Sequence, residues 1–158
     1  MKAFTLLEVL VSLLIFSFLI AAIFVILNVS DMTYSNDLGL LDLHQQARFA
    51  MDGMVRELRR SKDSRISVVS VSEINFYISP ETYGSDWIGP IRYYWDANQN
   101  QIIREYPTGT TKIIAQDISG LSFSLNSDLL DIQLTSAKIV RQRNLSFALA
   151  GQVRFRNE

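Results

Sequence analysis

A chain of 158 residues with 15 Lys+Arg, 16 Asp+Glu and no cysteine has room for one ordinary core plus an appendage. The near-balanced charge argues against a nucleic-acid groove or a polybasic lipid patch, and the missing cysteines exclude disulfides and Cys-ligated metals. Hydrophobic residues make up 48% of the chain but are unevenly spread, so their placement says more than their number.

Residues 9–27 contain no charge, no Gly and no Pro. As a helix this run measures about 28 Å at 1.5 Å per residue, close to the hydrocarbon thickness of a bilayer. Lys2 precedes it, and Asn28, Asp31 and Asp37 follow, with no Lys or Arg before Arg48. That asymmetry favours a cytoplasmic N-terminus. A cleaved secretory signal has a shorter apolar centre and a small-residue site beyond it. Here Ala21 and Ala22 lie inside the run, with residues 23–27 still to come. A retained single-pass anchor is therefore expected.

Thr5-Leu6-Leu7-Glu8 fits the S/T-x-x-E capping box, in which the acidic side chain satisfies a free amide at a helix start. Glu8 also stands at the head of the apolar run. An ionisable group inside a span costs about 2.5–3.5 kcal/mol on insertion scales, so it calls for a partner.

Lys2-Ala3-Phe4-Thr5-Leu6-Leu7-Glu8-Val9-Leu10 resembles the prepilin processing motif of type IV pilins and type II secretion pseudopilins. The resemblance implies cleavage between Ala3 and Phe4 by a prepilin peptidase, a membrane aspartic peptidase, followed by methylation of the new amine on Phe4. It also implies that Glu8 pairs with the N-terminal ammonium of a neighbouring subunit during assembly. The family has Gly before the cleaved bond, where this chain has Ala3. Ala is the next smallest residue, so processing is expected to survive at a reduced rate.

Beyond the run, residues 28–39 are polar and mark the place where a helix would loosen. Helical periodicity returns with Leu40, Leu43, Ala47, Ala50, Met54 and Leu58, widened by Met51 and Val55. Arg48, Asp52 and Arg56 follow i, i+4 spacing on another face. One helix over 4–60 is predicted, amphipathic in its outer half.

After Ser61 the pattern turns to short β-rich runs between turn residues. Strands are predicted at 66–71, 74–78, 91–95, 101–106, 111–115, 118–125, 129–135 and 145–155. The fold class expected is α+β: a long N-terminal helix packed on antiparallel sheet. Its expected divisions are a leader over 1–3, a membrane and assembly half over 4–27, an amphipathic half over 28–62 and an extracytoplasmic β-rich domain over 63–158.

A narrower resemblance runs along this outer part. Ala47-Arg48-Phe49-Ala50-Met51-Asp52 with Arg56-Glu57-Leu58-Arg59, then Ile91-Arg92-Tyr93-Tyr94-Trp95, Ile102-Ile103-Arg104-Glu105 and Val153-Arg154-Phe155-Arg156-Asn157 are similar to J-type pseudopilins and PilW-like minor pilins. The resemblance implies a minor subunit that initiates or caps a filament, with other minor and major pilins or pseudopilins as partners. It implies an inner-membrane location with the C-terminal domain periplasmic or extracellular. The competing reading is a single-pass anchored β-domain that binds a ligand or partner and has no filament role.

Catalytic and cofactor signals are absent from the sequence: it has no phosphate loop, no nucleophile elbow and one histidine, His44. No enzyme activity, cofactor, metal or nucleic acid is expected, and His44 is expected to be solvated or at an interface. Asp96-Ala97-Asn98-Gln99-Asn100 begins like a calcium loop but has Gln101 at the Gly position and Pro107 at the twelfth. A hairpin turn is expected there. Tyr83 and Trp87, in the loop 80–90, form a candidate partner-binding patch. Tyr94 is expected to be buried by strand alternation.

Overall fold

The computed structural model describes residues 5–79 and 86–155. Helix α1 runs from Leu6 to Leu58 without a break, which corrects the expected loosening at 28–39. The polar side chains there turn back onto the helix's own carbonyls. Asn28 Nδ2 donates to the Phe24 oxygen at 2.8 Å, Thr33 Oγ1 to Val29 at 3.0 Å and Ser35 Oγ to Asp31 at 2.8 Å. Such bonds satisfy the polar groups without opening the ladder, and with no Pro in the stretch nothing removes a backbone donor.

A 3₁₀ turn, Asp63–Arg65, leads into eight strands: β1 Ile66–Ser70, β2 Glu73–Ile78, β3 Ile88–Asp96, β4 Gln101–Glu105, β5 Thr111–Ala115, β6 Ile118–Asn126, β7 Leu129–Val140 and β8 Arg143–Arg154. They form a five-stranded sheet in the order β1-β2-β3-β4-β5 and a three-stranded sheet in the order β6-β7-β8. All pairings are antiparallel. The fold is thus α+β, one long helix packed on antiparallel sheets.

The amphipathic half of α1 buries Leu43, Ala47, Ala50, Met51, Met54 and Leu58, while Leu40 and Val55 are half-buried. Across from this stripe lie Ile74, Phe76, Ile91, Tyr93 and Ile102 of the larger sheet and Leu130, Ile132, Leu134 and Val153 of the smaller one, all buried. Small residues let helix and sheet approach closely. A Cβ on Gly39 would fall 2.8 Å from Val140 Cγ2, and one on Gly151 would fall 2.7 Å from Met51 Sδ. His44, expected to be solvated or at an interface, is half-buried and packs on Phe147 with the rings tilted by 32° and their centroids 3.8 Å apart.

These contacts fix a direction. Between Gly39 and Met51 the helix advances about 18 Å, while its partners on β8 pass from Leu145 to Gly151, about 20 Å of strand. The helix and β8 therefore run side by side in the same sense. β7 and β8 pair through twelve consecutive residue pairs, from Leu129↔Arg154 to Val140↔Arg143. Their turn consists of Arg141 (φ 45) and Gln142 (φ 68), two successive positive φ values as in a type I′ turn. The hairpin is longer than expected at this end because that turn contains no Gly, Asn or Asp to announce it.

Strand β3 also departs from expectation. Tyr93, not Tyr94, faces the core at 2% exposure. Tyr94 is half-buried on the outer face, where the Arg92 guanidinium lies 4.6 Å from its ring centroid. Arg92 there bridges Glu73 at 2.8 Å and Glu105 at 3.3 Å. The β3–β4 connection is a hairpin turn, in which Asp96 Oδ1 accepts from the Asn98 N–H at 2.9 Å.

Candidate functional site

The site begins at the helix cap. Thr5 is extended (φ −80, ψ 150), as an N-cap requires, and its Oγ1 accepts from the Glu8 N–H at 3.3 Å. Its carbonyl accepts from the Glu8 and Val9 amides at 3.1 and 3.3 Å. This is half of the expected capping box. The Glu8 carboxylate holds no hydrogen bond or ion pair among the described residues, so the reciprocal half is open. An acidic group in the first turn still suits the helix dipole.

From Val9 to Leu27 every residue is exposed. The most apolar 18-residue window of the helix has a mean hydropathy of 3.1, and none of it is buried within the protein. So much uncovered apolar surface needs lipid or other helices against it. The two hydroxyls inside the run are already satisfied: Ser12 Oγ donates to the Glu8 oxygen and Ser17 Oγ to the Leu14 oxygen, each at 2.7 Å. Self-satisfied polar groups are what an apolar surrounding demands. Among the described residues the Glu8 carboxylate is left as a free acceptor at the head of this surface.

Ala3, Phe4 and Tyr83 lie outside the described residues. Trp87 is half-buried, and the Arg65 guanidinium carbon lies 5.5 Å from its ring and 5.8 Å from that of Tyr77. Trp87 immediately precedes β3 of the larger sheet rather than lying at the helix cap. Among the described residues no group of three His, Asp or Glu side chains could hold a metal ion.

Two constellations escaped sequence reading. Glu57 Oε2 accepts from Tyr93 Oη and from Arg104 Nε, both at 3.0 Å, joining α1 to two strands. Arg141 Nη1 stands 2.8 Å from Asp31 Oδ2, joining the β7–β8 turn to the helix just past the apolar run. Partners so distant in sequence leave no periodic trace. The unannounced Arg141-Gln142 turn removed the one local signal.

Residues 1–24 match the family described as the prokaryotic N-terminal methylation motif. The match covers the head of the chain alone; over those residues the chain is similar to type IV pilin-like prepilins, a likeness that supports a membrane anchor and implies processing by a prepilin peptidase and assembly with other pilins. No curated protein and no solved structure matches the chain.

Proposed function

We propose that this pilin-like prepilin is a minor pilin or pseudopilin without enzyme activity, one that helps initiate or cap a type IV pilus or type II secretion pseudopilus. The observation that carries the reading is the Glu8 carboxylate, without a partner among the described residues, at the head of a helix whose apolar half is wholly uncovered. Cleavage before Phe4 supplies a cation of the right kind, a new ammonium group. On a neighbouring subunit that ammonium can reach Glu8 where the two helices pack. Between packed helices the pair sits in a drier medium than at a lipid headgroup, so their attraction is worth more there. Glu8 thereby favours the assembled state over the lone anchor.

A second set of side chains supports assembly. Tyr34, Leu38, Leu41 and Phe49 are 64, 48, 54 and 70% exposed, on the side of the helix away from the sheets. They extend the apolar surface beyond the membrane, where only another protein can cover it. The order of 47–59, 91–95, 102–105 and 153–157 supports a J-type or PilW-like minor subunit in particular. The same reading puts the N-terminus in the cytoplasm, residues 4–27 in the inner membrane and the β-rich part outside it. Tyr83 and Trp87 remain the candidates for a partner-binding patch under this reading.

Glu8→Gln tests the reading, because it keeps the size and can still complete a capping box while removing the charge. Membrane insertion, leader cleavage and the outer fold should stay intact, and recovery of sibling subunits on co-purification should fall. Normal partner recovery and filament output would instead favour the plain anchored β-domain. Loss of insertion itself would show that Glu8 serves the lone helix.

A further inference from the structure

The β7–β8 turn lies where the helix leaves its apolar run. Arg141 is bonded to Asp31, which lies four residues past Leu27, about 6 Å along the helix axis. The polar layer on each side of a bilayer is itself roughly 5–7 Å deep. With residues 9–27 in hydrocarbon, a placement that rests on the membrane-anchored reading above, the Arg141 guanidinium stands at headgroup level.

The fold aims the turn that way. Because β8 runs parallel to the helix, the β7–β8 turn is the membrane-proximal end of the smaller sheet. Ser127, in the β6–β7 turn, is at its far end, a whole strand length away.

The charges around the turn are unevenly committed. Lys138 is bound to Asp42 at 3.1 Å and to Asp117 at 2.9 Å. Arg141 neutralises Asp31, which would otherwise repel phosphate, yet the Arg141 side chain remains 45% exposed. Arg143 is exposed and has no ion-pair partner among the described residues. These three cations and three carboxylates balance in number, but Asp42 and Asp117 are taken up by Lys138 and Asp31 by Arg141, which leaves Arg143 as the exposed, uncommitted cation beside a second, partly open guanidinium. A guanidinium offers phosphate a planar fork of donors and is more weakly hydrated than an ammonium.

The geometry points to the β7–β8 turn as a contact for lipid phosphate. Arg143 and the open part of Arg141 take headgroups of anionic lipids in the leaflet from which the helix emerges. The Arg141–Asp31 bond holds the turn at that depth, and the contact sets how the β-rich part leans on the membrane before the subunit is drawn into a filament. Two arginines do not make a polybasic run, so composition gives no hint of the contact.

The test uses the full chain in lipid nanodiscs of phosphatidylcholine alone or mixed with phosphatidylglycerol. Because the chain has no cysteine, Gln142→Cys and Ser127→Cys each give a single labelling site. A fluorophore at position 142 should be quenched by headgroup-spin-labelled lipid, more strongly in the anionic nanodiscs, and one at position 127 should not. Arg143→Gln breaks no internal ion pair and should leave the melting temperature unchanged. In anionic nanodiscs it should lower occupancy of the quenched state about fivefold, the usual worth of one basic side chain at such a surface. Equal quenching at 142 and 127, or quenching at 142 indifferent to lipid charge and to Arg143→Gln, overturns the contact while leaving the anchor standing. A chain that does not enter the nanodisc overturns the anchor, and the contact with it.

Discussion

The Tyr93 hydroxyl donates to the Glu57 carboxylate at 3.0 Å across the interface between helix and larger sheet. Arg104 donates to the same oxygen at the same distance. Glu57 thus accepts one neutral and one charged donor from two neighbouring strands. It fixes the outer end of the helix stripe, next to Leu58, against that sheet.

The pair should show itself in alkali. Burial, with the Glu57 charge beside it, pushes the Tyr93 phenol well above its ordinary range. In the unfolded chain Tyr93 ionises near 10, while the folded protein still holds the proton. Its contribution to stability is therefore complete below about pH 10 and declines as pH rises beyond that. Tyr93→Phe should cost about 1 kcal/mol at neutral pH, the worth of one hydrogen bond, and should flatten the alkaline fall. Denaturant midpoints of both proteins across this range decide it. Parallel curves would show that Tyr93 titrates as it does in water. Glu57→Gln should cost more, about 2 kcal/mol, because Arg104 loses its counter-ion in a half-buried place.

The centre of the stripe offers a harsher test. Met54 is fully buried, and Met54→Asp puts an unpaired carboxylate among Ile74, Phe76 and their neighbours. The cost should be on the order of 4 kcal/mol, with the melting temperature falling accordingly. Unchanged melting would mean that the stripe is covered by something other than these sheets.

Processing is the third expectation. If Ala3 serves in place of Gly, intact-mass analysis of membrane-extracted protein should find a chain beginning at Phe4 with a methylated amine. A chain still beginning at Met1, or one cut after Ala22, would sink the processing assignment. Ala3→Gly should speed the cleavage.

What could be read in advance followed from periodicity. The stripe from Leu43 to Leu58 and the alternation at Leu121-Ser122-Phe123-Ser124-Leu125 expose one face at a fixed step, so burial could be inferred position by position. Helix continuity through 28–39 could not, since Asn28, Thr33 and Ser35 suit a loop equally well until their bonds to the preceding turn are seen. Neighbouring Tyr93 and Tyr94 are indistinguishable without the register to Ile74 and Glu73, which decides which ring points inward. At the site, Thr5 and Glu8 are legible because a cap is local. The Arg141–Asp31 and Arg104–Glu57 pairs exist only once the sheets are in place.

An unbroken α1 is also a strut. From Leu6 to Leu58 it has 53 residues, about 80 Å of axis, with no Pro and no frayed turn to act as a joint. A pull at the membrane end is then delivered undiminished to Leu43, Met51 and Leu58, where the sheets hold on. Lifting the apolar half out of lipid must carry the β-rich part upward by the same distance, because nothing between them can stretch. Had residues 28–39 unwound, the first part of any such stroke would have been spent in taking up slack.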